Sequence, residues 1–437
     1  MQDFLQHRAD YLAKLTPFSR FLPYQTACYN PYPLVLDRTL YQDLRDFTAM
    51  LMQAIAAITE NYLRDEAMQK AMPLSQSMRR FLQLSQAVPY RPGTMRPDLL
   101  FGAAGEVKVC EINARFPLNG MAISQWLTKA ALESEFLNWQ HYEPIAELAK
   151  IQSTILARFS TDIPLVRVAS SESGSESLYF LETFTHQGGQ VLHVKPENLR
   201  MQSDQIFASD GNTEVPVNQF ILEIDREELS LFSEDVITHI IEHSNYINDV
   251  RTLILVHDKR ILSLLANEKI MSAYLRPEQL SLLNRFLTQS LDLSDDQHFQ
   301  EVSNNKDNWV IKKVSGGRGV DLYVGQQCDA SDWRERLTKE RGSFMAQQFV
   351  APGAVPLVTS DKSTTEIKPM HFVGSLPCFD GECFGLGMFR ASEKLCVNIG
   401  NGQGQSILLP SAVSRVANNL SQRQLKELNH LAWQASV

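Results

Sequence analysis

Between residues 161 and 260, apolar strands alternate with helical segments, and this limits the folds open to the chain more than any other feature. PLVRVAS opens the run as a strand, SGSESLYFLETFTHQ follows as a helix starting on small capping residues, and QVLHVK is a second strand. FILEID (220–225) and TLILVHD (252–258) supply two more, with SEDVITHIIEHSNYI a helix between them. Strands joined through helices predict a parallel α/β sheet.

The flanks differ in kind. Apolar residues recur at helical spacing through 38–88, until VPYRPGTMRP (88–97) stops helix formation. DLLF and VKVCEIN, joined by GAAGE, then predict a hairpin, and 121–158 returns to helix. Helical residues 259–291 lead into a β-rich tail, NWVIKKV, VDLYVG, SFMAQQFVAP, MHFVGSL, ECFGLGMFR and KLCVNIG, closed by a helix, QRQLKELNHLAWQ. Three regions are expected: 1–160, helical with an acidic hairpin; 161–260, α/β; and 261–437, mostly β. The fold class is α/β (α+β).

With 41 basic against 50 acidic residues among 437, the net charge of −9 argues against a nucleic-acid or anionic-membrane partner. The most apolar stretch, AMLMQAIAAIT (49–59), falls short of the ~20 residues that span a bilayer. MQDFLQHRAD offers no signal-like apolar run, and the six cysteines include no CxxC pair. A cytoplasmic protein with reduced thiols is expected.

Four constellations could carry chemistry. In RPDLLFGAAGEVKVCEIN, alternation puts Arg96, Asp98 and Leu100 on one strand face, and Val107, Val109, Glu111 and Asn113 on one face of the returning strand. A turn at 103–104 would set Asp98 near Val109 and diagonal to Glu111. Two carboxylates and an amide oxygen suit Mg²⁺; a solvated hairpin face is the plain alternative. In WVIKKVSGGRGVDLYVG, Lys312 ends a strand, and a turn containing Gly316, Gly317, Arg318 and Gly319 follows. Such a turn can lay backbone N–H groups against phosphate, or be a surface hairpin. With no helix after it, it is neither a P-loop nor a Rossmann turn. FMAQQFVAP could present backbone to a purine edge or be an ordinary edge strand. In GLGMFRASEKLCVNIG, Arg390 could stabilise a transferring phosphoryl group or serve a surface ion pair; Asn398 ends a strand there. His239-Ile-Ile-Glu242-His243 fits a zinc signature, but its helix turns Val236, Ile237, Ile240 and Ile241 to the core, so a polar face explains it more simply.

Taken together and in this order, these segments resemble the circularly permuted branch of the ATP-grasp superfamily that includes glutathionylspermidine synthase-like ligases. Arg96-Pro-Asp98 and Glu111-Ile-Asn113 precede Lys312 by some two hundred residues, the reverse of the conventional order. The likeness spans most of residues 90–400 and includes DKRILSLLANEKIMSAYLRPEQLSLLNRF (258–286) as the helical lead-in. It implies a permuted ATP-grasp fold with an α/β pre-ATP-grasp domain, and ATP with two Mg²⁺ as cofactors. Asp98, Glu111 and Asn113 would hold the metal. Lys312 and Gly316–Gly319 would grip phosphates, Gln347, Gln348 and Val350 would line the adenine hinge, and Arg390 with Arg96 would steady the phosphoryl group. Lys313 stands where proline is usual, and Lys259 and Arg276 are both open as the second ATP cation. Ala-Arg-Phe-Pro (114–117) replaces an Asp-Thr-Pro run, so the acyl substrate is not carried over; Arg115 is the candidate for a substrate carboxylate, with a salt bridge in the hairpin the alternative.

The resemblance implies an ATP-dependent carboxylate–amine ligase working through an acyl phosphate, the alternative being a non-catalytic nucleotide-binding relative. Its partners would be small carboxylate and amine molecules, and a homo-oligomer is compatible.

Overall fold

Among the described residues the strands form five sheets, and a helical layer packs against the largest of them. The computed structural model describes residues 2–22, 28–170, 174–209, 214–314, 321–339, 341–361, 364–397 and 407–415. The expected closing helix, the Gly316–Gly319 turn and Asn398 lie outside the described residues.

The helical layer comes from the N-terminal part. Arg38–Asn61 is the longest helix, its first turn held by the Asp37 carboxylate, which accepts from the N–H groups of Thr39 and Leu40. Leu44, Phe47, Leu51, Ile55 and Ile58 recur at three and four spacing along its buried side. Phe47 packs against Phe286 of the later helix Pro277–Phe286.

The four-stranded parallel sheet runs in the order Asn245–Ile247, Gln219–Glu223, Leu165–Ala169, Val191–Val194. One expected strand is wrong. TLILV is a π-helical turn, Thr252–Val256, and the fourth strand is Asn245–Ile247, drawn from what reads as the end of a helix. Helix Glu234–His243 stops earlier, at Ser244, where the chain turns extended. All five residues of the turn are buried, and a fully apolar run cannot be told from a core strand by periodicity alone. A small antiparallel sheet over 199–217 was not legible as such.

The acidic hairpin, Thr94–Phe101 and Val107–Asn113, belongs to the largest sheet, beside Thr364–Ser375 and Phe389–Ser392. The lysine hairpin, Trp309–Lys313 and Leu322–Val324, belongs to a separate antiparallel sheet with Phe344–Gln348 and Ser290–Asp292. KLCVNIG forms no strand over its described residues. No helix of the described residues is long and apolar enough to cross a membrane.

Asn248, fully buried, ties the acidic hairpin to the end of the parallel sheet. Its Oδ1 accepts from the Thr94 N–H at 2.7 Å, and its Nδ2 donates to the Ala114 carbonyl at 2.8 Å. Asn248→Ala would strand both backbone groups, each worth ~1–3 kcal/mol when buried and unpaired. Urea unfolding of this variant is expected to show a loss of about 3 kcal/mol.

Candidate active site

A β-bulge decides which side chains of the acidic hairpin meet. Asp98 pairs with Glu111 and Leu99 with Val109, so Cys110 is the extra residue. The bulge corrects the expected register in two ways. Asp98 stands directly opposite Glu111, not diagonal to it, and Arg96 stands opposite Asn113. Val107 and Val109 fall on the other face from Glu111 and Asn113, because one inserted residue reverses the alternation.

The carbonyl of the bulged Cys110 accepts from the Lys312 ammonium at 3.2 Å and from the Gln347 amide at 3.0 Å. Lys312 also donates to Gln347 Oε1 at 2.6 Å. Two hairpins some two hundred residues apart are thereby joined at one atom. Thr288 adds to the junction, donating from N and Oγ1 to the Val109 carbonyl.

Around this junction lies a cavity of about 830 Å³. Arg96, Asp98, Glu111, Asn113, Arg115, Lys312, Gln347, Gln348, Val350 and Arg390 all line it. Lys313 instead points to Asp321, 3.7 Å away, so Lys312 is the lysine on the cavity side.

Asp98 is the electrostatic centre. Arg96 grips it through two bonds, at 2.9 and 3.1 Å, Arg390 donates at 2.6 Å, and Asn113 Nδ2 donates at 3.1 Å. Burial alone would raise this carboxyl, but the Arg390 and Arg96 guanidiniums outweigh it and hold the pKa below the usual value. Glu111 is freer, its nearest ion-pair contact being the Lys259 ammonium at 3.6 Å. The Lys259 backbone N–H donates to the Val314 carbonyl, placing it beside the end of the lysine strand. Arg276, by contrast, takes the N-cap position of helix Pro277–Phe286; neither it nor Lys259 lines the cavity itself.

Arg115 lies over the Phe116 ring and pairs with Asp225 at 2.7 Å. The salt bridge reaches the loop after a parallel-sheet strand, not the hairpin. His239 and His243 line a separate surface hollow.

Three cavity residues went unnoticed in the sequence. Glu176 is buried and accepts from the N–H groups of Gly120 and Ala122, at 2.7 and 2.8 Å. Asn119 accepts from Arg96 through both its carbonyl and its side-chain oxygen, at 2.9 and 2.8 Å. His257 follows the misread TLILV run. Glu176, one residue into a helix that opens on small residues, carried the only local signal.

The family described as the AnkG N-terminal domain matches residues 47–255. An ATP-grasp enzyme ankG of Aspergillus thermomutatus is 24% identical over 420 residues, covering 84% of this chain and 86% of that protein. Among solved structures, a glutathione synthetase-like effector of Globodera pallida in apo form superposes with a TM-score of 0.57 at 13% identity, over 94% of this chain and 97% of that one. The chain is thus similar in sequence to an ATP-grasp enzyme and in fold to a glutathione synthetase-like protein. A D-alanyl-alanine synthetase A of Vibrio cholerae aligns over 63% of this chain and 80% of its own, at 11% identity and a TM-score of 0.31. The acidic and lysine hairpins on which the resemblance rests face one cavity.

His257 gives the cavity a measurable signature. Burial, then the nearby Lys259, Arg115 and Arg226 cations, push its pKa down from 6.5 to about 3, with Asp258 opposing. The folded protein therefore holds it neutral while the unfolded chain takes up a proton below pH 6.5. Its stabilising contribution is present above that pH and is lost as the pH falls towards 3. The slope should approach ~1.4 kcal/mol per pH unit. Denaturant unfolding between pH 4 and 7 should show a shallower dependence for His257→Gln than for the native chain.

Proposed function

We propose that this protein is an ATP-dependent carboxylate–amine ligase that forms an amide bond through an acyl phosphate, releasing ADP and phosphate. The observation that carries this reading is the Lys312–Cys110 junction, which sets a lysine strand and a two-carboxylate hairpin face to face across one cavity. The curated relative's description as an ATP-grasp enzyme supports it. The arrangement suits a small-molecule synthase at work in the cytoplasm, with residues 161–260 as its pre-ATP-grasp domain and 261–437 contributing the nucleotide-binding region.

The donor set fits Mg²⁺. Asp98, Glu111 and Asn113 bring two carboxylates and an amide onto one face of the hairpin. Because Asn113 gives its Nδ2 to Asp98, its oxygen is the atom left for a cation. Divalent ions held there would neutralise phosphate charge.

The protein's own groups account for the rest. A carboxylate attacking the γ-phosphorus must approach an anion, and Lys312, Arg390 and Arg96 supply positive charge fixed in advance by hydrogen bonds. Lys259 is the second cation for the phosphates. Gln348 and Val350 would border the adenine, while Gln347, its side chain spent on Lys312 and Cys110 and its backbone paired with Val310 in the sheet, would hold Lys312 in place. The Gly316–Gly319 turn would cover the phosphates and keep water from the acyl phosphate. Arg115 is assigned to the substrate carboxylate, which would displace Asp225 from it. The amine then attacks the acyl carbon, the C–O bond to phosphate breaks, and the amine proton leaves with the products.

Screening carboxylate and amine pairs for ADP release, with product masses as the readout, tests the reading; no pair-dependent ADP release would overturn it. Glu111→Gln should reduce that release by about 100-fold or more while leaving unfolding nearly unchanged, since Glu111 is half-buried. Asp98→Asn should lower both activity and stability, because it leaves Arg96 and Arg390 facing each other across a neutral group. Lys312→Met should weaken nucleotide binding by calorimetry about tenfold or more.

A further inference from the structure

Cys378 and Cys383 lie directly across from each other on the short hairpin Cys378–Phe379 and Glu382–Cys383. Asp380 and Gly381, both at positive φ, make its two-residue turn. The hydrogen bonds on either side fix what kind of pair this is. The Phe384 N–H donates to the Pro377 carbonyl, so the pair next to the cysteines is a hydrogen-bonded one. On the opposite edge, the N–H groups of Leu376 and Asp380 donate to the Pro97 and Gly93 carbonyls, so the backbone of alternate residues faces the strand Thr94–Phe101. Cys378 shares that parity and pairs with Met95 there. Cys378 and Cys383 are therefore a non-hydrogen-bonded antiparallel pair, the closer of the two types, with Cα atoms ~4.5 Å apart. That is inside the ~4.4–6.8 Å that a disulfide spans.

Both thiols are free, and each is within hydrogen-bonding reach of the other. They also differ. Cys378 is buried and Cys383 half-buried. The hydrogen bond with Cys383, then burial, raises the Cys378 thiol, whereas the same hydrogen bond, aided by Gly385, Thr48 and Arg45 against burial, lowers the Cys383 thiol. Neither lines the central cavity.

We propose that Cys378 and Cys383 are a redox modification site that takes a low-molecular-weight disulfide such as oxidised glutathione. The Cys383 sulfur attacks one sulfur of that disulfide, its S–S bond breaks, and the first small thiol leaves with the Cys383 proton. The Cys378 sulfur then attacks Cys383, expelling the second small thiol with the Cys378 proton. Two protein thiols are oxidised to one disulfide while one small disulfide is reduced to two thiols. The existing register already holds the two residues face to face, so the step asks no strand to slide.

The full-length protein is incubated with oxidised glutathione, alkylated and digested with trypsin. Residues 363–390 form one tryptic peptide, since Lys368 precedes a proline, and it carries these two cysteines and no other. The expected result is that this peptide escapes alkylation and loses two hydrogens in mass, and that a dithiol reductant restores both thiols. Cys378→Ser should trap one glutathione on Cys383. The proposal is overturned if both cysteines of the native peptide remain alkylated, if the native peptide retains a glutathione adduct, or if the disulfide forms elsewhere. Pair-dependent ADP release is expected to be unchanged in Cys378→Ser, so this test stands apart from the ligase reading.

Discussion

One carbonyl oxygen organises the centre of this protein. A regular strand would have spent the Cys110 carbonyl on its ladder partner. The extra residue frees it, and Lys312 and Gln347 of another sheet take it up. A buried ammonium needs acceptors, and Lys312 finds two neutral ones, the Cys110 carbonyl and Gln347 Oε1. Neither neutralises it. The lysine therefore keeps its positive charge for the cavity it lines, while its position is fixed by the strand that carries Glu111.

The same economy governs the acidic strand. Asp98 could not remain ionised in this burial without counter-charge, and Arg96 and Arg390 supply it from two directions. Arg96 is in turn held by both oxygens of Asn119, and the next residue, Gly120, donates its N–H to Glu176. Gly120 sits at positive φ, and a Cβ there would lie 2.8 Å from Arg96 Nη1, so glycine is what allows the guanidinium this close to the backbone. A hydrogen-bonded chain thus runs from a helix of the parallel-sheet region to the carboxylate at the centre.

Most of the chemistry was legible because it is local in sequence. Arg96, Asp98, Glu111 and Asn113 alternate along two short strands, and pleat geometry alone puts each pair on a common face. What alternation could not show was the bulge, since an inserted residue leaves no compositional mark in VKVCEIN; it changed both the partner of Asp98 and the face of Val107 and Val109. TLILV failed for a related reason. Every position of it is buried and four of the five are aliphatic, so periodicity could not separate a buried helical turn from a strand. Lys259 and Arg276 were equivalent cations in sequence, and only tertiary placement set Lys259 within reach of Glu111.

The parallel sheet contributes more than a scaffold. In such sheets ligands gather beyond the carboxyl ends of the strands, where the loops converge and helices begin. Here the strand Leu165–Ala169 leads to Gly174, Ser175 and Glu176, all on the cavity wall, and the strand Gln219–Glu223 leads to Asp225, the partner of Arg115. Within the site, the hairpins carry the lysine and the acidic residues at one side, and these loops supply the polar groups at the other. A change confined to the loops would alter what meets Arg115 without touching the junction at Cys110. The surroundings of Arg115 and the junction at Cys110 can therefore vary separately in this architecture, because separate elements hold them.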